Sequence, residues 1–298
     1  MIAAEARSPI PPSISAIAEA ARARHAPGQG IAAVLGYGSC LREGDDRGKV
    51  VDLYLLPDDY RSIYGNPLTR VANALLPPNV FYLETPFEDR VIRCKYAVVS
   101  LGHFERLVRP QTFHPYFWAR FAQPTAIVWA RDEEAEKRVV TALAQSVATV
   151  LREAAPFLPP DVPSRDFWIR AFSETYRTEL RAERPGRAVH LYETHATRYD
   201  RIIATVREAS GGELLNGHSQ SAKRNEARWR RRRHLGKVLS VLRLMKSAFT
   251  FHDGPVYLMW KIEQHSGVKV TLTPWQRRHP ILASPTLFWR LYRKGAFR

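Results

Sequence analysis

The most constraining feature of this sequence is an apolar segment that runs into a Gly-Ser step and is followed by a second apolar segment with one acid. Residues 31–36 are apolar and lead into Tyr37-Gly38-Ser39, and residues 50–56 contain Asp52 as their only charged residue. Apolar segments of this length, bounded by turn residues, are typical of buried strands. The pattern predicts two strands on either side of a tight turn, the second of which carries a carboxylate.

Such a turn and such a carboxylate together suit the binding of a nucleoside triphosphate. Backbone N–H groups and a hydroxyl at the turn can approach phosphate oxygens closely, and Asp52 can hold the Mg²⁺ that neutralises them. Nucleotidyltransferases of the polymerase-β type need this arrangement. Gly-Ser turns are common, however. The alternative is therefore that this turn is purely structural and that Asp52 binds no ligand.

The remaining apolar segments predict an α+β fold. Strands are predicted over residues 79–83, 91–100 and 124–129. After Asp132 the spacing of apolar residues changes to that of a helix, which we expect to continue to Leu151. Further helices are predicted over residues 12–25, 166–180, 189–209 and 235–251.

Clusters of proline and glycine divide the chain into three predicted regions. Four prolines between 156 and 163 predict a boundary, and Gly211-Gly212 predicts a second linker. We therefore expect a nucleotidyltransferase domain over residues 1–155, a small helical domain over residues 156–215 and a basic region over residues 216–298.

The charge of the chain predicts a polyanionic partner. The net charge is +16 over 298 residues, and the densest basic run lies at 223–233. Nucleic acid, anionic lipid or a highly phosphorylated substrate would each fit. A solvated basic face or a flexible tether is the alternative for this run. Its aromatic residue, Trp229, could stack on a base, but one aromatic is too little for a nucleic-acid platform.

Cysteine usage and hydropathy indicate the compartment. Cys40 and Cys94 form no disulfide framework, so we expect a reducing compartment. Prolines at 9, 11 and 12 interrupt any apolar run near the N-terminus, and no apolar stretch approaches the length of a bilayer span. We therefore expect a soluble or peripheral protein.

The acids near the turn are candidate metal ligands. Asp52 lacks a second acid two residues later, because position 54 is Tyr, so further ligands must come from elsewhere. Glu84 and Glu88 follow the next predicted strand and are the nearest candidates, whereas Asp45 and Asp46 are expected to be solvated loop residues.

Two cations are candidate phosphate contacts. Lys95 lies inside an otherwise apolar strand, where an ammonium is costly unless it is paired or meets a phosphate. Snorkelling of its head group to the rim of the sheet is the alternative. Arg120 is a similar case. The ten histidines show no metal-ligand spacing beside a Cys or an acid, so a zinc site is not expected.

These residues resemble a known family, the mitochondrial-type phosphatidate cytidylyltransferases, or translocator assembly and maintenance proteins. This family makes CDP-diacylglycerol from CTP and phosphatidic acid. Its Tyr-Gly-Ser motif and its hydrophobic-Asp-hydrophobic strand match residues 37–39 and 51–53. Its later motifs are similar, in order and with compatible spacing, to residues 80–82, 94–100, 118–124 and 175–181.

The resemblance implies a polymerase-β-type nucleotidyltransferase domain followed by a winged-helix-like helical domain. It also implies Mg²⁺ as cofactor, CTP and phosphatidic acid as substrates, and peripheral attachment to an anionic membrane surface, which we expect to be the inner face of the cytoplasmic membrane. The expected catalytic residues are Asp52 and Lys95, the metal ligands Asp52 and Glu84, and the nucleotide-binding residues Gly38, Ser39, Tyr82, Lys95 and Arg120.

Three positions depart from the family pattern. Gln123 and Ala126 stand where the family has lysines, and Ala97 replaces a glycine. The lost positive charge leaves a different nucleotide or acceptor open. Two rival functions also stay open: nucleotidyl transfer to RNA or protein, and non-enzymatic nucleic-acid binding through the basic run.

The C-terminal residues 285–298 combine aromatic and aliphatic residues with cations. A helix from Pro285 would place them on opposite sides, which predicts an interfacial membrane anchor. The alternative is that the same aromatics cap the protein's own core.

Overall fold

The computed structural model describes residues 1–25, 30–159, 161–179, 186–211, 222–250 and 271–278. It also describes residues 215, 259, 283, 286–287, 289–290 and 293. The described chain has an α+β fold with one five-stranded mixed sheet. Its strands are β1 (Ile31–Tyr37), β2 (Val51–Pro57), β3 (Asn79–Phe87), β4 (Arg90–Val98) and β5 (Thr125–Ala130).

The strand order across the sheet is β3-β4-β2-β1-β5. β2 and β4 run parallel, and the other neighbouring strands are antiparallel. All five predicted strands are confirmed, although β3 continues beyond the predicted end at Leu83. It reaches Phe87 and turns into β4 through Glu88, whose φ angle is +54°.

Helices cover both faces of the sheet. In chain order they are α1 (Ile2–Ala6), α2 (Pro12–Ala23), α3 (Ser39–Glu43), α4 (Pro67–Leu75), α5 (Leu101–Leu107), α6 (Trp118–Phe121), α7 (Glu133–Ala154), α8 (Ser164–Tyr176), α9 (Arg187–Thr194), α10 (Ala196–Ser210), α11 (Ala222–Thr250) and α12 (Pro274–Arg278). Helix α2 packs on one face through Ile14 and Ile17, while α6 and α7 cover the other. The predicted helix after Asp132 is confirmed as α7, and the Asp132 side chain caps it by accepting from Ala135 N at 2.7 Å.

The core on the α6 and α7 face of the sheet continues into helices α8 to α10. Trp168 is fully buried there, and its Nε1 donates to the Tyr199 carbonyl at 3.1 Å. The predicted single helix over 189–209 is wrong, because His195 leaves the helical conformation and separates α9 from α10. The described residues between 156 and 211 contain no strand, so the winged-helix character and the domain boundaries stay predictions.

The basic run 223–233 and the predicted helix after it form one helix, α11. The alternative of a solvated face holds for only part of the run: Lys223, Arg224, Arg230 and Arg231 are exposed, whereas Arg228 and Arg232 pair with Glu153 of α7. Arg233 pairs with Glu174 of α8 at 2.9 Å. Trp229 is buried in the core and is not available to stack on a base.

No helix within the described part of the chain is both long and apolar enough to cross a membrane. The predicted C-terminal anchor, residues 285–298, lies mostly outside the described residues. Among its described members, Leu287 is buried and Trp289 is exposed.

Candidate functional site

Four polar or aromatic residues from four neighbouring strands lie in one row across the sheet. The strand register pairs Tyr37 with Asp52, Asp52 with Lys95, and Lys95 with Tyr82. Directly paired residues of adjacent strands project from the same face of a sheet. This polar row (Tyr37, Asp52, Lys95 and Tyr82) therefore brings together three residues that the sequence predicted one by one.

Gly38 brings the backbone of the turn against the carboxylate of Asp52. Its φ angle is +90°, a conformation that residues with a Cβ atom rarely adopt. A Cβ atom at this position would lie 3.2 Å from Asp52 Oδ2. Glycine is thus required both for the turn and for the close approach, and the approach leaves a cradle that a side chain would fill. Ser39 follows directly and begins α3.

Lys95 provides a cation on the same face of the sheet as Asp52, in the register position next to it. Its side chain is partly exposed, and it forms no hydrogen bond or ion pair with any residue that the structure describes. An ammonium in this position can accept an anionic ligand without first breaking an existing ion pair. The alternative of simple snorkelling to the rim predicts the same exposure, so activity measurements must separate the two.

Arg120 joins the row through Tyr37. Its Nη1 donates to Tyr37 Oη at 3.2 Å, and its guanidinium lies 3.8 Å from the carboxylate of Glu179. Burial, and then the negative charge of Asp52, raises the pKa of Tyr37, so the phenol keeps its proton at neutral pH. Arg120 is mostly buried and already has partners, which makes it a support for Tyr37 as well as a candidate phosphate contact.

Cations from α11 lie next to this group. The ring of Tyr116 is flanked by Arg120 at 4.5 Å and by Arg243 at 4.2 Å. Arg243 Nε donates to the Pro77 carbonyl at 2.9 Å, whereas its Nη1 is buried without a hydrogen-bond partner in the structure. Lys246 Nζ donates to the Pro78 carbonyl at 3.0 Å. Burial, followed by the charge of Arg243, lowers the pKa of Lys246 to about 8.

Glu84 lies on the same strand as Tyr82 but is engaged elsewhere. Its Oε1 accepts from Tyr82 Oη at 2.8 Å and from Arg93 Nε at 3.0 Å. Strand β4 lies between Glu84 and Asp52, and Glu84 is two residues beyond Tyr82, which is the β3 residue in line with Asp52. Its role as a metal ligand stays a prediction, and binding a metal through Oε1 would require the hydrogen bond from Arg93 to break.

The acids of the loop between β1 and β2 behave differently from each other. Asp46 was expected to be solvated, and that is wrong: it is buried and accepts two hydrogen bonds from Arg90, at 2.6 and 2.9 Å. The hydrogen bond from Arg90 lowers the pKa of Asp46. Asp45 is exposed, as expected. The ion pair of Asp46 fastens this loop to β4.

The donor set fits a Mg²⁺ ion that is held largely by its substrate. Within the described residues, no three His, Cys, Asp or Glu side chains cluster so that they could hold a metal ion. Mg²⁺ in proteins commonly binds one or two carboxylates together with substrate phosphates and water. The single carboxylate of Asp52 beside the cradle at Gly38 meets that requirement, whereas a two-metal site would need further acids.

The two cysteine thiols, Cys40 and Cys94, both have raised pKa values. Burial, and then the charge of Asp52, raises the pKa of the Cys40 thiol to about 11, so it stays protonated at neutral pH. Cys94 is buried, and burial raises its pKa too. Neither thiol is therefore a candidate nucleophile.

Tyr37, Tyr116, Arg243 and Lys246 were missed as site residues from the sequence. Tyr37 could have been found, because it is the last residue of the first strand and directly precedes Gly38. Arg243 could not, because nothing in its local pattern indicates that it reaches Tyr116, which lies 127 positions earlier in the chain.

Two comparisons with known proteins found no match. No protein-family model matches the chain, and no curated protein shows a match to it. Any functional conclusion therefore depends on the polar row and on the motifs that surround it.

Proposed function

We propose that the protein is a Mg²⁺-dependent nucleotidyltransferase that transfers CMP from CTP to phosphatidic acid and releases pyrophosphate. The observation that carries the proposal is the polar row. Asp52 lies against the positive-φ backbone of Gly38 and is paired by the strand register with Lys95, whose ammonium has no partner among the described residues. The choice of CTP and phosphatidic acid rests on the motif resemblance alone.

Each residue of the site has a role in this proposal. Gly38 and Ser39 cradle the triphosphate, and Tyr82 lines the nucleotide site at the far end of the row. Asp52 holds Mg²⁺, which when bound neutralises phosphate charge. Lys95 and Arg120 stabilise the charge that develops on the α-phosphate and on the leaving pyrophosphate. Glu84 is the proposed second metal ligand.

The proposed reaction needs no strong general base. A phosphate oxygen of phosphatidic acid is already ionised at neutral pH and attacks the α-phosphorus of CTP in line. The bond from that phosphorus to the β-phosphate oxygen breaks, and pyrophosphate leaves with the electron pair. This agrees with a polar row that contains no histidine and with thiols that stay protonated.

Two rival functions remain to be separated from this proposal. A nucleotidyltransferase that modifies RNA or protein would use the same row with a different acceptor. A non-enzymatic nucleic-acid-binding protein is less well supported, because Arg232 and Trp229 of the basic run are buried and Arg228 and Arg233 pair with internal carboxylates.

One incubation separates the three functions. The purified protein is mixed with Mg²⁺, phosphatidic acid and each of the four nucleoside triphosphates in turn, and lipid-linked nucleotide and pyrophosphate are measured. We expect CDP-diacylglycerol from CTP only. Pyrophosphate release that requires RNA or protein in place of lipid would favour the first rival, and nucleic-acid binding without turnover would favour the second.

We also propose that the protein works as a peripheral protein at the inner face of the cytoplasmic membrane. The support is the phosphatidic acid substrate of the proposed reaction together with the strongly basic composition. The C-terminal residues 285–298 stay the predicted anchor.

A further inference from the structure

Over residues 232–246, helix α11 turns most of its cations toward the protein and several apolar residues toward solvent. Arg232, Arg243 and Lys246 point inward and contact acids, carbonyls or rings of the body. On the outward side, apolar side chains are between 40 and 66% exposed. These outward residues are Leu235, Val238, Val241, Leu242, Leu244 and Met245.

Helix α4 shows the same inversion. Leu68, Val71 and Leu75 follow one another at helical spacing and are 78, 54 and 80% exposed. On the opposite side of the helix, Asn73 is fully buried, and its Nδ2 donates to the Val98 carbonyl at 3.0 Å. The polar side of α4 is therefore tied to the sheet, while its apolar side faces outward.

Helix α11 is anchored to the segment that directly follows α4. Arg243 and Lys246 of α11 donate to the carbonyls of Pro77 and Pro78, at 2.9 and 3.0 Å, and Lys246 also donates to Leu76, the residue directly after α4. The C-terminal half of α11 thus runs beside the end of α4. We call the combined surface of Leu68, Val71, Leu75, Val238, Leu242 and Met245 the apolar patch. Exposed apolar surface on this scale marks an interaction site in many proteins.

The charge around the apolar patch selects the kind of partner. No acidic residue occurs between positions 60 and 83 or between positions 227 and 250. Exposed cations precede and border the patch along α11, at Arg230, Arg231 and Lys237. Apolar side chains bordered by cations, without acids, match the interface of a bilayer that contains anionic lipid.

We propose that the apolar patch is a docking surface for an anionic phospholipid bilayer. Leucine and methionine side chains enter the boundary between head groups and acyl chains, while the flanking cations contact anionic head groups. The inward side of the same helix places Arg243 against Tyr116, 4.2 Å from its ring and next to Arg120. Resting on the proposed function, docking through this patch therefore brings the lipid acceptor to the side of the molecule that carries the polar row.

Vesicle flotation tests the docking surface without any turnover. The vesicles contain phosphatidylcholine with phosphatidylglycerol, an anionic lipid that is not the proposed substrate. Two independent variants remove apolar side chains: the α4 triple Leu68→Gln, Val71→Gln, Leu75→Gln, and the α11 pair Leu242→Gln, Met245→Gln. Val91→Gln is the matched control, because Val91 is 44% exposed on β4 outside the patch. The altered side chains are exposed, so the variants are expected to keep the wild-type melting temperature.

We expect wild type and the Val91→Gln control to float with the vesicles, and both patch variants to lose at least about tenfold in bound fraction at limiting lipid. Binding by wild type should also weaken in pure phosphatidylcholine vesicles. Undiminished flotation of both patch variants would overturn the proposal. So would a wild-type dimer that the substitutions convert to monomers without loss of flotation, because the patch would then be covered by a second copy.

A parallel activity measurement keeps this inference separate from the proposed function. With short-chain phosphatidic acid below its micelle concentration, the patch variants should match wild type, and with vesicles they should lose turnover. Patch-dependent flotation by a wild type that makes no lipid-linked nucleotide would leave the docking surface standing and the proposed function wrong. If the patch variants keep full turnover on vesicles, the proposed function would stand and the docking surface would be wrong.

Discussion

Two regions of the molecule place arginine or lysine beside a largely buried carboxylate, and they differ in how the charges are satisfied. Between α7 and α11, Glu153 accepts from Arg232 at 2.6 Å and from Arg228 at 3.1 Å. In the polar row, Asp52 lies beside Lys95, whose ammonium has no partner among the described residues. The first region is a closed ion-pair network, and the second keeps a charge available.

This difference teaches what each region contributes. A buried ion pair with its hydrogen bonds made costs little in the folded state, but losing one partner leaves an expensive buried charge. A cation without a partner among the described residues, on the same sheet face as a carboxylate and next to a glycine that no other residue could replace without strain, is instead a local departure from an economical fold. Such departures concentrate at functional sites. Mutations should therefore affect stability in the first region and activity in the second.

Asp52→Ala gives the largest expected effect. Nucleotide transfer from CTP should fall roughly 10³-fold or more, because the proposed metal ligand is lost. The melting temperature should change little, since Asp52 is only partly buried and its strand is held by backbone pairing to β1 and β4. Steady-state turnover and thermal unfolding measure the two quantities.

Asp45→Ala is the control for that substitution, because Asp45 is exposed in the loop between the same two strands. Its turnover should equal that of wild type. Full activity in Asp52→Ala would remove the polar row from the mechanism.

Arg232→Met tests the closed network. Arg232 is fully buried and its partner Glu153 is 4% exposed, so the variant should lose about 3 kcal/mol of unfolding free energy. Turnover of the folded variant should stay within about twofold of wild type, because Arg232 lies outside the row. Urea denaturation and initial rates at low temperature give these values.

The control on the same helix is Arg230→Met. Arg230 is 66% exposed, and its ion pair with Glu226 is long, at 4.0 Å. Its unfolding free energy should change by less than about 0.5 kcal/mol. Equal stability losses in the two variants would contradict the distinction between closed and open charges.

Lys95→Met reverses this pattern in the polar row. The methionine keeps most of the stem's packing and deletes the charge, so stability should change little while transfer falls roughly 10²-fold. Lys49→Met, which removes a lysine paired with Glu43, should leave the rate unchanged. An unchanged rate in Lys95→Met would return this residue to the snorkelling interpretation.

Gly38→Ala and Gly44→Ala form a matched pair with a smaller expected effect. Both glycines have positive φ angles, +90° and +64°, so each substitution should cost about 1 kcal/mol of unfolding free energy. An added Cβ meets Asp52 Oδ2 at 3.2 Å only in Gly38→Ala, since nothing lies within 4 Å of Gly44. Transfer should therefore fall about tenfold in Gly38→Ala alone; equal rates in the two variants would mean that the close approach has no role.

The smallest expected effect is on the pH dependence of the unfolding free energy, through His114. Burial, then Arg243 and Arg232, lowers the pKa of His114 to about 3. Because the unfolded state takes up this proton below its ordinary value of 6.5 and the folded state does not, stability falls as the pH drops from 6.5 toward 3. His114→Gln should reduce the slope by up to about 1.4 kcal/mol per pH unit.

Urea denaturation between pH 7 and 5 measures that slope. His234→Gln, an exposed change on α11, should leave it as in wild type. Part of the slope should persist in His114→Gln, since burial also lowers the pKa values of His25 and His103 to about 4. Parallel curves for wild type and His114→Gln would contradict the prediction.

The sequence by itself determined the features that depend on a few neighbouring residues. Apolar runs bounded by turn residues predicted β1 and β2, and the glycine before Ser39 marked the turn that the positive φ angle of Gly38 requires. The single acid in an apolar strand singled out Asp52. These features could be predicted because strand patterns and turn chemistry act over a few residues.

The tertiary structure alone decided which residues meet. Alternation along a strand indicates a face but not the neighbouring strand, so the alignment of Tyr82 and Lys95 with Asp52 became known only from the register. The density of charge in the run 223–233 likewise does not reveal whether counter-charges exist. Glu153 and Glu174 supply them from helices far away in the chain. These ion pairs fix one side of the run against the protein and leave apolar side chains of α11 facing outward.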